Sequence, residues 1–329
     1  MLVKKILKIS MIFLCGLVGV LFLRVPGFFL LPSQTLSPSL QEELFGSGVV
    51  HEAKATSDQI AIFVINLDRN PERYRDIHEH VLVPLGLPFF RVNAIYGKEL
   101  PQKQRDELTS YKVYRLAFNG NLPGPGEFGC FASHVKAWRE FLSSSYQTAL
   151  ILEDDVQLCL APSVTLALLS RARDLSDVCL LDAQSTIHGD ITSTLSLGDW
   201  YQDNIHAFGQ LSFQESINAG AYLINQRAAR ALLDKAHQFY LPADHYIQRA
   251  WEFSLSTTHL SPRLFHQKAI ASEIESDRRI SFKKKISPFP RLMQKIQTQM
   301  CHLKRDMARA VFQLWSFVKI LWKEPPQKK

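Results

Sequence analysis

Cysteine is scarce in this chain and follows no pairing pattern. The five residues (Cys15, Cys130, Cys159, Cys179 and Cys301) are odd in number, widely scattered and include no CxxC pair, so neither a zinc site nor a disulfide framework is suggested. They read as small buried hydrophobes. There is no internal repeat and no low-complexity block within the body of the chain. Asn-x-Ser/Thr sequons are absent as well, so glycosylation offers no guide to the side of a membrane. A D-x-D-x-T pattern with a later Lys is also missing, which argues against a phosphohydrolase with an Asp nucleophile.

What is present is ample apolar material: 46% hydrophobic residues and 11% aromatics in 329 residues, enough for a real core. Charge is unevenly spread. The formal net charge is +7, but residues 283–329 alone carry +10, leaving −3 for everything before them. A basic tail on a mildly acidic body points to an anionic membrane rather than to nucleic acid. Within that tail Leu292, Ile296, Met300, Leu303, Met307, Val311, Leu314, Val318 and Leu321 recur three or four residues apart, the spacing of an amphipathic helix. Its aromatic and basic residues fit a bilayer interface; the competing reading is a helix that docks on the protein itself.

At the other end, Lys4, Lys5 and Lys8 precede an uncharged stretch from Ile9 to Leu23. Fifteen helical residues reach only about 22 Å, short of a hydrocarbon layer of about 30 Å, unless the helix continues to Leu31. No small-x-small cleavage site follows, so residues 1–31 read as an uncleaved membrane anchor rather than a signal peptide. Residues 32–57, rich in Ser, Pro and Gly, form a linker. Both termini are thus expected at a membrane. Positive-inside logic would send the body to the far, lumenal side, whereas unpaired cysteines and the basic tail favour the cytoplasmic face, which is the expectation adopted.

The body, 58–282, reads as one α/β domain. IAIFVINL (60–67) is a near-continuous apolar run, as for a strand covered on both faces. ERYRDIHEHVLVPLG (72–86) has the signals of a helix, and FFRVNAI (89–95) those of the next strand. This β-α-β opening predicts a mainly parallel sheet. GPGEFGCFASHVKAWREFLSS (124–144) is expected to be a Gly-rich loop entering an amphipathic helix. VCLLDAQ (178–184) looks like a further strand, and INAGAYLINQRAARALLDKA (217–236) like a strand turning into a helix through Asn225.

The strand ALILEDDV (149–156) ends in three consecutive carboxylates, Glu153, Asp154 and Asp155. Carboxylates about 4 Å apart repel by roughly 4 kcal/mol at the effective dielectric of a protein surface. At the end of a buried strand that asks for a cation, and Mg²⁺ or Mn²⁺ held through carboxylate oxygens would serve; a solvated acidic turn is the plainer alternative.

Three segments, FVINLDRNPERYRDI (63–77), GEFGCFASHVKAW (126–138) and ALILEDDV (149–156), in this order and spacing, resemble glycosyltransferase family 25, which includes bacterial lipooligosaccharide galactosyltransferases and collagen galactosyltransferases. The likeness extends to AYLINQRAARALL (221–233), PADHYI (242–247) and SPRLFHQKAIASEI (261–274). The resemblance implies a GT-A-type, Rossmann-like fold, inverting transfer of a hexose from a UDP-sugar donor, most often UDP-galactose, to a glycan or glycolipid acceptor such as a lipopolysaccharide core, and a divalent cation (Mn²⁺ or Mg²⁺). It further implies that Asp155 ligates the metal, with Glu153 acting through water or the ribose and Asp154 completing the triplet. Asn66 and Arg69, at the carboxyl end of the first strand, would meet the nucleotide. Arg73 would take a phosphate or a structural acid, or be an ordinary surface residue. Glu127, Ser133 and His134 would orient the donor, or serve as a cap and polar core. Asp244 is the first choice for the general base, with helix capping as its plainer role, and Asp182 the second choice. A noncatalytic carbohydrate- or partner-binding module of the same fold is the alternative function; the intact acidic triplet argues against it.

Overall fold

The computed structural model describes residues 57–117, 122–182, 194–202, 205–212, 218–236 and 238–268, together with 299–300, 303, 305–312 and 315 of the tail. The anchor and nearly all of the linker lie outside these residues, as does most of the tail. Among the described residues no helix is long and apolar enough to cross a membrane.

The apolar run at the start of the body forms β1 (Ser57–Asn66). Its alternate side chains enter two separate cores: Ala61, Phe63 and Ile65 one, Ile60, Ile62 and Val64 the other. A strand buried on both faces needs apolar residues at every position, which is why it shows no polar alternation. The chain then forms α1 (Pro71–Ile77), which continues through a π-helical stretch, His78–Leu82, and a last turn, Val83–Leu85. Gly86 stops it in the left-handed conformation (φ 61°), where a side chain would be strained. β2 (Phe89–Asn93) returns parallel to β1, completing the expected β-α-β unit.

Beyond it come α2 (Gln102–Leu108), α3 (Tyr111–Ala117), α4 (Pro125–Leu142) and β3 (Tyr146–Glu153). The glycine-rich loop expected to lead into the helix of 124–144 is itself helix from Pro125 onward, because proline suits the first helical position and Gly129 serves packing. A β-carbon on Gly129 would sit 2.6 Å from both Gly97 N and Ile95 O, and one on Gly97 would sit 1.8 Å from Pro125 O. The loop after β2 therefore crosses α4 backbone on backbone.

β4 (Val156–Leu158), α5 (Pro162–Ala172), β5 (Val178–Leu180), β6 (Thr194–Gln202), β7 (Ile205–Ser212), β8 (Ala221–Asn225), α6 (Gln226–Lys235), α7 (Ala243–Gln248), β9 (Thr257–Ser261) and β10 (Phe265–Gln267) follow. The main sheet has the order β2-β1-β3-β8-β5-β9-β7-β6. The pairings orient six strands one way and reverse β8 and β7, so the sheet is mostly parallel in direction, as expected. One core, holding Phe131, Trp138, Phe141, Tyr222 and Tyr246, lies under α4, α6 and α7; the other, holding Ile77, Leu82, Leu168 and Leu169, lies under α1 and α5. A second, two-stranded sheet pairs β4 with β10 antiparallel just past the end of β3.

The turn from β8 into α6 behaves as the Asn225 signal predicts. The Asn225 side chain accepts a hydrogen bond from Ala228 N at 2.8 Å, capping the helix, and donates to Asp177 Oδ1 at 3.0 Å. Asp177 also accepts from Ser256 N and Oγ and from Arg227. Burial raises its carboxyl pKa, but these donors outweigh burial and hold it below the usual carboxylate range. A depressed folded pKa contributes stability that is complete above about pH 4, the unfolded value, and is lost as pH falls through the folded one. Asp177→Asn should therefore cost about 1–3 kcal/mol at pH 7, with the gap from wild type narrowing below pH 4 in denaturant titrations.

Candidate functional site

Parallel pairing of β1 with β3 sets Ile65 opposite Glu153, so both strands end together and the next residues, Asn66 and Asp154, are neighbours. Asn66, 1% exposed, donates to Asp154 Oδ2 at 2.7 Å and to Asn70 O at 3.1 Å. Its own oxygen accepts from Arg91 Nε and Nη2 at 3.0 and 2.6 Å. Arg73, carried on α1, bridges two of the acids: its Nη2 lies 2.7 Å from Asp154 Oδ1 and 3.1 Å from Asp155 Oδ2. Of the roles open to Arg73, the geometry gives the partner of structural acids.

Glu153 faces the other way, toward α4. Its Oε1 lies 3.2 Å from His134 Nε2 and 3.7 Å from Cys130 Sγ, and its Oε2 accepts from Gln267 Nε2 at 3.0 Å. The far nitrogen of His134, Nδ1, lies 3.0 Å from Tyr222 Oη, which also accepts from Trp138 Nε1 at 2.9 Å. Trp138 N–H donates to Tyr222 Oη, and the neutral tautomer assigned to His134 on that basis takes the Tyr222 O–H at Nδ1 and donates Nε2–H to Glu153. His134 is thus both a filled core position and the residue that aims Glu153.

The three acids are electrostatically unlike. Burial raises the pKa of Glu153, but its bond with His134 and the imidazole, Cys130 and Arg73 nearby bring the net shift below the ordinary value. Burial outweighs Arg73 and Asn66 at Asp154 and raises its pKa. At Asp155 burial comes first and the charge of Glu153 second, pushing the carboxyl up to about 7. Among the described residues, the buried Asp155 Oδ1 has no hydrogen-bond partner. Asp182 is fully buried and, among the described residues, neither of its oxygens is hydrogen-bonded by geometry; burial and then Glu153 raise its carboxyl to about 7, tempered by the nearby backbone of Gly220 and Ala221. Its Oδ2 and Gln267 Nε2 would both meet a β-carbon on Gly220 at 2.9 Å, so Asp182 lies against the same strand end. Unpaired acid oxygens beside a charged carboxylate are a donor set suited to a hard divalent cation.

The remaining expected residues are placed differently. Ser133 accepts from Ile95 N at 2.8 Å and donates to Gly129 O at 2.7 Å, so it pins the loop to α4 and acts in packing. Glu127 accepts from Gly124 N and from Tyr114 Oη, both at 2.9 Å, and closes the helix start. Arg69 is exposed and lies over the Tyr96 ring at 4.3 Å. Asp244 is not the cap of a helix beginning at Tyr246: the helix starts at Ala243 after Pro242, with Asp244 in its first turn, and its charge is felt at Cys130.

Sequence reading passed over Arg91, Gln267 and Cys130. Gln267 lay within a resembling stretch that carried no role, and Cys130 stands four residues before His134, one helical turn, a spacing visible without coordinates. Lys268 also meets the site, through its amide to Asp155 O at 2.8 Å and its ammonium to Asp76.

Residues 59–247 match the model of glycosyltransferase family 25, described as an LPS biosynthesis protein family. The chain belongs to this family. It is 33% identical over 98 residues to procollagen galactosyltransferase 1-B of Xenopus laevis, covering 29% of this chain and 16% of that protein. It is 34% identical over 108 residues to a glycosyltransferase 25 family member of Drosophila pseudoobscura pseudoobscura, covering 32% of this chain and 17% of that one. The chain thus spans about a sixth of the length of the curated relatives it matches. Among solved structures, the apo glycosyltransferase GlyE of Streptococcus pneumoniae aligns over 80% of this chain and 64% of that chain, at 13% identity and a TM-score of 0.35, a distance at which neither fold nor function transfers.

Removing Arg73 leaves two partly buried acids unbalanced. Breaking a buried pair costs about 3–5 kcal/mol; with Arg73 28% exposed, Arg73→Met should cost about 2 kcal/mol at pH 8 without divalent ions. The loss should shrink at pH 5, where the raised carboxyl of Asp155 is protonated. A loss equal at both pH values, in thermal melts, would contradict the electrostatic role.

Proposed function

We propose that this chain is a metal-assisted, inverting hexosyltransferase that moves a sugar, galactose first among candidates, from a UDP-sugar to a glycan acceptor such as a lipopolysaccharide core, on a GT-A-type fold. The observation that carries this reading is the acidic triplet of a family 25 chain, at the end of a central strand, with Asp155 Oδ1 buried and, among the described residues, unpartnered. Ligands of open α/β sheets bind outside the carboxyl ends of the strands, where Asn66 and the triplet lie.

Asp155 would hold Mn²⁺ or Mg²⁺ directly. Glu153 has both oxygens engaged by His134, Cys130 and Gln267, so it acts as the fixed charge behind the ligand. Arg73 and Asn66 hold Asp154 and keep the strand end in one shape. The bound cation supplies neutralisation of the diphosphate leaving group. Asp244 is the better candidate for the base: it is half-buried, whereas Asp182 is sealed from solvent. As base its carboxylate takes the acceptor hydroxyl proton, the oxygen attacks the anomeric carbon, and UDP leaves from the opposite face. UDP release from a panel of UDP-sugars should be donor-selective, abolished by EDTA and lowered by at least about 100-fold in Asp155→Asn, by analogy with losing one preorganised electrostatic group. Undiminished release under both conditions would overturn the metal reading, and no release with any donor would favour a noncatalytic module.

We also propose membrane attachment at both ends, with the body on the cytoplasmic face. The tail supports it. Its described residues are helical; Arg309 is buried at 1% and the Phe312 ring lies 6.2 Å from Trp251, so one side docks on the body. Met300, Leu303, Met307 and Trp315 are 45–61% exposed. At about 100° per residue they share an arc of roughly 120° with Arg309 opposite. An apolar face on a segment of charge +10 complements an anionic bilayer. Leu303→Asp with Met307→Asp should weaken co-sedimentation with phosphatidylglycerol vesicles about tenfold or more, without changing the melting temperature.

A further inference from the structure

Behind the acidic triplet, Cys130 and His134 stand one turn apart on α4 and direct Sγ and Nε2 at Glu153 Oε1. We propose that these three side chains form a binding site for a thiophilic divalent ion of the zinc class, distinct from the hard-cation site at Asp155. The proposal rests on geometry and does not require the transferase reading.

The three ligand atoms lie within 4.8 Å of one another. Zinc bonds of about 2.3 Å to sulfur and about 2.0 Å to nitrogen and oxygen, at tetrahedral angles, put the N–O edge near 3.3 Å and the S–O edge near 3.5 Å. The observed 3.2 Å from Nε2 to Oε1 and 3.7 Å from Sγ to Oε1 are close to both. The third edge, Sγ to Nε2, lies within the same 4.8 Å. Three protein ligands leave the fourth tetrahedral position for water.

The surroundings suit a soft ion. His134 is held from behind by Tyr222, the arrangement that orients metal-bound imidazoles. On binding, the imidazole changes tautomer: Nε2 releases its hydrogen to Nδ1, which donates to Tyr222 Oη, while Trp138 continues to donate to the same oxygen. Tyr222 gives up its own donated bond. The Cys130 thiol releases one proton to solvent, so one proton leaves per ion bound. Thiolate and imidazole select zinc, cobalt or cadmium over magnesium, whereas the orphaned carboxylate oxygens of Asp155 and Asp182 suit the hard ions. One strand end therefore faces two chemically different sites.

Cobalt titrated into the full chain, with magnesium in excess, is the test. A saturable thiolate-to-cobalt charge-transfer band with tetrahedral d–d absorption is expected, displaced by one equivalent of zinc, lost in Cys130→Ser and weakened in His134→Gln. Absence of the band in wild type, or its persistence in Cys130→Ser, would overturn the site. Should that variant not fold, alkylation of Cys130 in wild type, followed by peptide mass spectrometry, decides the matter. Zinc should slow it at least tenfold where magnesium does not, and equal rates with the two ions would refute the proposal.

Discussion

Three carboxylates at the end of one buried strand, two of them bridged by a single guanidinium, are the constraint around which this fold is arranged. Arg73 reaches Asp154 and Asp155 only because α1 packs directly after β1, and Asn66 reaches Asp154 only because β1 and β3 pair in parallel and end in register. A shift of one residue would turn Asn66 away and move every apolar side chain of β1 to the opposite core. The two-sided burial of β1 and β3 thus protects the charged end as well as the core.

A second constraint lies in α4. Gly129 and Ser133 of GEFGCFASH let the loop after β2 cross the helix at backbone distance. That contact fixes the rotation of α4 about its axis, and with it the direction in which Cys130 and His134 point. Packing residues and site residues alternate along one helix, so a change at Gly129 or Ser133 reaches Glu153 through rigid geometry.

Much of this was legible from residue patterns. The β-α-β opening, the strand ending in Glu153 and the Asn225 cap all follow from local rules of apolar periodicity and capping, which act over fewer than ten residues. The role of Arg73 was legible only as one of several, since its partners are some eighty positions away and sequence separation carries no distance. Ser133 and Glu127 belonged to the right motif, but a motif does not separate residues that touch a ligand from those that build its frame. Gln267 was beyond reach for a further reason: it arrives through β10, whose antiparallel pairing with β4 no short-range signal announces.

The charge balance of the strand end assigns unequal work to its acids. Arg73 supplies one positive charge to three carboxylates, and His134 and Gln267 favour the ionised form of Glu153 alone. Glu153 therefore keeps its charge, which adds to the larger effect of burial in raising Asp155 and Asp182 to about 7. Near neutral pH these two acids sit between protonated and ionised, and an approaching dication shifts them to the ionised form, meeting at Asp155 the guanidinium of Arg73 that already bridges it to Asp154. Among the described residues, Asp155 Oδ1 and both oxygens of Asp182 have no hydrogen-bond partner, whereas both oxygens of Glu153 and of Asp154 are engaged. Buried acid left unpaired costs stability, and a cation recovers that cost only at the place where it arises.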